Sequence, residues 1–96
     1  MQVLSIMKMQ GDPDEILTNM QEVEDVAARK APGYGAISNT VVKTDDGIMI
    51  INHWGDEEGR HKLADDPEIQ AALQKIEMRP DFRAYEVMRY RTADES

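Results

Sequence analysis

The chain reads as an α+β domain, one four-stranded antiparallel sheet with helices laid along one side. Three observations predict this. Short segments rich in apolar residues fall at residues 2–9, 36–44, 48–54 and 82–90, bounded by glycine, proline or aspartate. Two other segments carry apolar residues at helical spacing, and each opens on an Asp-Pro pair, at Asp12-Pro13 and Asp66-Pro67. Laid end to end these give the order β-α-β-β-α-β, whose right-handed crossovers put both helical segments on the same side of the sheet.

The first strand, residues 2–9, is closed by Gly11. In "GDPDEIL", Asp12 is placed to cap a helix, Pro13 takes the first helical position, where no N–H is missed, and Glu15 can reach back in a capping box. Ile16, Met20, Val23 and Ala27, with Leu17 and Val26 beside them, form the apolar face of one helix that ends before Pro32. Arg29 and Lys30 stand at the negative end of its dipole. "APGYG" reads as a loop and "AISNTVVKT" as the second strand. "DDG" at 45–47 predicts a tight hairpin turn in which Gly47 supplies positive φ.

In the third strand, "IMIINHW", Ile48, Ile50, Asn52 and Trp54 share one face and Met49, Ile51 and His53 the other, so both faces are apolar over most of its length. Asp56 caps a short helix with Glu57 and Glu58 in its first turn. Asp66 and Pro67 open the next, with Ile69, Ala72, Leu73 and Ile76 as its buried stripe. After "EMRPD", the run "FRAYEVMRY" alternates Arg83, Tyr85, Val87, Arg89 and Arg91 against Phe82, Ala84, Glu86, Met88 and Tyr90. Charges on such an edge strand also guard against aggregation. The domain is expected to span residues 1–91, with residues 92–96 as a polar, disordered tail.

Composition narrows the function classes. Eleven Lys and Arg against 19 Asp and Glu leave a net charge of -8, which argues against a protein that grips a phosphate backbone, so no nucleic-acid partner is expected. Without cysteine there is no disulfide framework, thiol nucleophile or Cys-ligated metal, and no segment approaches a membrane span; the chain reads as cytoplasmic. The acidic residues 56–58, 65, 66 and 68 sit at helix starts, where capping and the dipole explain them, and no metal is expected there. With both helices on one side, the other apolar face of the third strand needs a cover. A second copy is the simplest, which predicts a homodimer.

The element order, "APGYGAIS" after the first helix, "IMIINHWGDEEGRHKL" from the third strand into the following helix, and "YEVMRY" in the last strand together resemble the dimeric α/β-barrel (ferredoxin-like) superfamily, and within it the antibiotic biosynthesis monooxygenase-like branch. The resemblance covers nearly the whole chain. It implies fold more strongly than activity, because the superfamily also holds heme-degrading enzymes, polyketide cyclases and decarboxylases. It implies two sheets packed into a barrel across the dimer, with a pocket between helices and sheet in each subunit. The implied activity needs no metal or flavin: an electron-rich phenolic or anthrone substrate loses a proton, and its carbanion reacts directly with oxygen. The family tryptophan at the end of the third strand is matched by Trp54. The heme-degrading branch uses an axial histidine about three helical turns beyond that tryptophan, where this chain has Leu63 and Ala64, so neither heme nor another cofactor is expected.

Four residues are candidates for chemistry. Trp54 and Asn52, on one strand face, can give hydrogen bonds to a developing oxyanion in a dry pocket; equally, Trp54 can be a core aromatic and Asn52 can satisfy nearby backbone. The asparagine of the better-known oxygenases lies farther from the tryptophan. His53, on the opposite strand face, is either a general base or a hydrogen-bonded interface histidine, and His61, one turn before Asp65, is either a base oriented by a carboxylate or a solvated helix residue. Three functions stay open: a cofactor-independent monooxygenase-like enzyme acting on a small aromatic or polyketide-like molecule, a non-catalytic binding or accessory protein of the same fold, and a cyclase or isomerase with a histidine base.

Overall fold

In the computed structural model, which describes residues 1–76 and 80–95, the strand segments pair as β1 (Val3–Gln10), β2 (Ala36–Lys43), β3 (Gly47–Trp54) and β4 (Asp81–Glu86). They lie in the order β2-β3-β1-β4 with every neighbouring pair antiparallel, and with helices α1 (Pro13–Asn19), α2 (Gln21–Lys30), α3 (Glu57–Ala64) and α4 (Pro67–Gln74) they make a ferredoxin-like α+β fold. Among the described residues no helix is long and apolar enough to cross a membrane.

Side-chain alternation divides the sheet as the pattern demands. Met9 of β1 and Ile48 and Ile50 of β3 bury against Ile16, Met20, Val23 and Ala72 of the helical layer, with Met7, Leu17 and Ile76 packed around them. A buried Ile of this kind contributes about 2 kcal/mol through the apolar area it removes from water. Leu4, Ile6, Met49 and Ile51, of opposite parity on β1 and β3, are only half-buried.

Four local features differ from the sequence expectation. The first helix is broken in two at Met20 (φ -89°, ψ -1°), which closes α1 and opens α2; the bend lets α1 pack on β3 while α2 packs on α4. The α-helix ends at Lys30, before Pro32 as expected, but "APGYG" is not plain loop: Ala31–Tyr34 form a 3-10 turn, closed by Gly35 at φ 93°. Gly47 does not have positive φ; it is required because a Cβ there would stand 1.9 Å from the Met9 carbonyl oxygen on β1. The last strand stops at Glu86, after which the Val87 N–H bonds to the Gln2 carbonyl and the chain leaves the ladder.

The Asp12 cap forms, its carboxylate accepting from the Asp14 N–H at 3.0 Å, but among the described residues no bond from the Asp12 N–H to Glu15 completes the box. Ala93–Glu95 form a short 3-10 turn within the segment expected to be disordered. Residues 77–79 of the "EMRPD" connection and Ser96 of the tail lie outside the described residues.

The helical layer is pinned by Asp66. Its carboxylate caps α4, accepting from the N–H of Glu68 at 2.9 Å, and is 5% exposed because two side chains from elsewhere also reach it. Lys30 Nζ at the end of α2 lies 2.9 Å from both oxygens, and the Tyr34 hydroxyl donates at 2.7 Å. The Lys30 hydrogen bonds, then that of Tyr34, hold its carboxyl down to about 2 against the ordinary 3.8. A depressed folded-state pKa contributes stability that is fully present above 3.8 and is lost as pH falls through about 2. Replacing Asp66 with Asn should therefore lower the melting temperature at pH 7 and flatten its fall between pH 4 and pH 2, both read by circular dichroism. An unchanged acid limb would place the acid sensitivity elsewhere.

Candidate functional site

Between the helical layer and the sheet lies a cavity of about 340 Å3, at the small end of the range for ligand sites. Its floor follows from strand register. Asn39, Asn52 and Ser5 stand side by side across β2, β3 and β1, a row of short side chains, while the next row brings Ile50, Met7 and Phe82 to the lining. Its roof comes from α2 and the turn after it, where Ala27, Ala28 and Ala31 present only methyl groups. Short residues facing short residues leave a gap that neither layer fills.

One end of the cavity is closed by Trp54, which is 2% exposed. Its ring is held from behind by α3: a Cβ on Gly59 would lie 3.7 Å from the indole and only 1.8 Å from the Tyr34 carbonyl oxygen. The Asp56 cap, accepting from the Glu58 N–H at 2.9 Å, starts α3 at the right point for Gly59 to meet that carbonyl. Arg60, the next residue, also lines the cavity, with its guanidinium 5.1 Å from the centre of the Phe82 ring and one Nη 3.3 Å from Glu57. Two buried side-chain donors here have no hydrogen-bond partner among the described residues, Trp54 Nε1 and Arg60 Nε. Buried donors in native proteins are almost always paired, so two on residues that border one cavity leave a place for an acceptor beside it.

Of the residues singled out in the sequence, Asn52 and Trp54 line this cavity. Asn52 accepts from Asn39 Nδ2 on the neighbouring strand, which leaves its own NH2 group as a donor. His53 is on the other face of β3, 3% exposed, donating from Nε2 to Gln2 Oε1 at 2.9 Å. The Tyr90 ring meets it edge-on at 4.4 Å. Strict alternation would have put Tyr90 on the face of Phe82; it reaches His53 because the chain leaves the ladder after Glu86. His61 is exposed, and the carboxylate beside it is Glu57 at 3.6 Å, not Asp65. Neither histidine lines the cavity. Among the described residues no group of three His, Asp or Glu side chains converges as a metal site.

Two charged lining residues were not singled out in the sequence, Arg60 and Glu24. Glu24, half-buried on α2, has its carboxyl raised above the ordinary 4.5 by burial first and by the neighbouring Asp25 second. The helical spacing of Met20, Val23 and Ala27 was the available signal, since a residue adjacent to that stripe borders whatever the stripe covers.

No protein-family model and no curated protein matches the chain. Solved structures do match. A dimeric ferredoxin-like protein of unknown function from Jannaschia sp. CCS1 superposes with a TM-score of 0.72 at 12% identity, over 91% of this chain and 100% of that one. A protein of Deinococcus radiodurans named as a candidate antibiotic biosynthesis monooxygenase gives 0.70 at 16% identity, over 96% and 97%. SnoaB of Streptomyces nogalater, a cofactor-independent oxygenase, gives 0.57 at 15% identity, over 93% of each. At these identities the likeness shows a shared ferredoxin-like fold.

Gly59→Ala tests how the site is seated. Helix propensity alone would favour Ala by about 1 kcal/mol, but its Cβ would press on the Tyr34 carbonyl at 1.8 Å. Such overpacking costs about 1–3 kcal/mol. Urea denaturation should show net destabilisation; a more stable variant would mean that α3 moves away from that turn easily.

Proposed function

We propose that this protein is a cofactor-independent monooxygenase-like enzyme that oxidises a small aromatic or polyketide-like molecule in the cavity between helices and sheet. The observation that carries the reading is the buried, unpartnered indole N–H of Trp54, a residue that lines a largely apolar cavity. Cofactor-free oxidation of an acidic aromatic compound asks for three things: exclusion of water, an acceptor for one proton, and donors at the oxygen where negative charge develops. Apolar side chains such as Met7, Met20, Val23 and Ile50 supply the first. Glu24 is the carboxylate in the lining among the described residues, and its partly desolvated position suits a proton acceptor. Trp54 Nε1 and the Asn52 amide supply the donors. The substrate loses a proton to Glu24, its carbanion passes an electron to dioxygen, and the radical pair combines as a peroxide anion, which takes the proton back from Glu24 to become a hydroperoxide. Loss of water then converts the original CH2 to C=O, so one O2 is consumed and one water is released. The fold shared with SnoaB supports this reading. A histidine-based cyclisation has less support, because His53 and His61 both lie outside the cavity lining.

Oxygen uptake with an anthrone or hydroquinone tests the proposal. Trp54→Phe keeps most of the ring volume but removes the donor, and should lower turnover about tenfold or more while leaving the fold intact. The base must be ionised, so the rate should rise with pH through a value raised from the ordinary glutamate 4.5, and Glu24→Gln should abolish that limb. Saturable quenching of Trp54 emission by an aromatic compound without any oxygen uptake would instead mark a non-catalytic binding protein.

We also propose that two copies pair through the sheet face opposite the helices. Leu4, Ile6, Met49 and Ile51 remain half-buried there, Tyr85 is 53% exposed, and Met88 is 92% exposed beside the groove around His53. The Jannaschia protein of the same fold is dimeric. Sedimentation at micromolar concentration should give twice the chain mass of 10.9 kDa, and a stable monomer would refute the pairing.

A further inference from the structure

The two unpartnered donors carry information about the ligand as well as about the site. An indole N–H and a guanidinium Nε–H can only donate, so the missing partner must bring acceptor oxygens. Arg60 is held before any ligand arrives: Phe82 lies against the guanidinium at 5.1 Å, one Nη is 3.3 Å from Glu57, and the same atom is 3.2 Å from His61 Nε2. The contact with Glu57 is half-exposed and therefore screened, so it orients the fork more than it neutralises the charge. What remains unmet is Nε, buried on a residue that borders the cavity. Among the described residues Arg60 is also the one cation in the lining, in a chain of net charge -8 whose overall field repels anions. The acid that the described lining holds, Glu24, is on a different element, α2.

We infer that the cavity selects an aromatic monoanion, its charged oxygens accepting from Trp54 Nε1 and Arg60 Nε, and that Arg60 is the residue that sets this charge selectivity. A carboxylate or other delocalised oxyanion meets both requirements at once, since it only accepts and it matches the planar fork of a guanidinium. Its ring system lies along the apolar wall formed by Met20, Val23, Ile50 and Leu73. The inference rests on the reading of this cavity as the functional site, but not on the oxidation proposed there.

Calorimetric titration of the full chain with 2-naphthoate and with neutral 2-acetylnaphthalene, at low salt and pH 7, separates the two. The unmodified protein should bind the naphthoate about tenfold or more tightly than the neutral ketone, the scale of a hydrogen bond to a charged group. Arg60→Met should bring the two compounds within about threefold of each other, and added salt should weaken only the naphthoate. Equal or better binding of the neutral compound by the unmodified protein overturns the inference without needing any variant to fold, and so does a preference that survives Arg60→Met. If neither compound binds, the cavity reading falls together with the inference. A clear anion preference in a protein that consumes no oxygen leaves the inference standing and removes the oxidation.

Discussion

The helical layer depends on one buried carboxylate. Asp66 brings together the end of α2 through Lys30, the following 3-10 turn through Tyr34, and the start of α4 through its own capping bonds. A charge with so little exposure is tolerable only because each oxygen is met by donors; removing one partner would leave the others uncompensated. Around it, Lys30 and Arg29 also reach Glu68, so the same corner of the molecule is braced on its solvent side. Such exposed pairs add little by themselves, and the buried centre sets the geometry.

From that corner the constraint passes to the cavity. Tyr34, whose hydroxyl bonds Asp66, offers its backbone carbonyl to the face of α3 where only a glycine fits. That close approach sets the height of α3 above the sheet, and α3 carries both the surface that backs Trp54 and the side chain of Arg60. The cavity is therefore a consequence of where the helices are held and of what they lack. Two alanines at the end of α2 and one in the turn after it look down on a row of Asn, Asn and Ser, and larger residues at either place would close the gap.

Much of this was legible from the residues in order. The Asp-Pro pairs marked helix starts because cap and missing N–H act locally, and period-two alternation placed Asn52 and Trp54 together and His53 opposite. What could not be read depends on partners distant in sequence. Asp66 looked like a cap and no more, since nothing local reveals that Lys30 and Tyr34 converge on it. Gly47 looked like a turn residue because its neighbours are aspartates, whereas its reason is the backbone of β1 across the ladder. Arg60 and Phe82 belong to different elements, and only register and helix placement bring them to one cavity.

The third strand explains how so small a domain can hold two separate surfaces. With apolar side chains on both faces, β3 sends Ile50, Asn52 and Trp54 to the cavity and Met49, Ile51 and His53 to the side left uncovered by helices. A slip of one residue would exchange the two sets, so its register has to be fixed strongly at both ends. At one end Gly47 fits against β1 where no side chain could. At the other a bulge between Ala36 and Ser38 of β2 absorbs the mismatch beside Trp54. That bulge also breaks the alternation of β2, which is how four consecutive residues, Ala36 to Asn39, come to border the cavity. The irregularity that secures the strand thus also widens the space beside the indole.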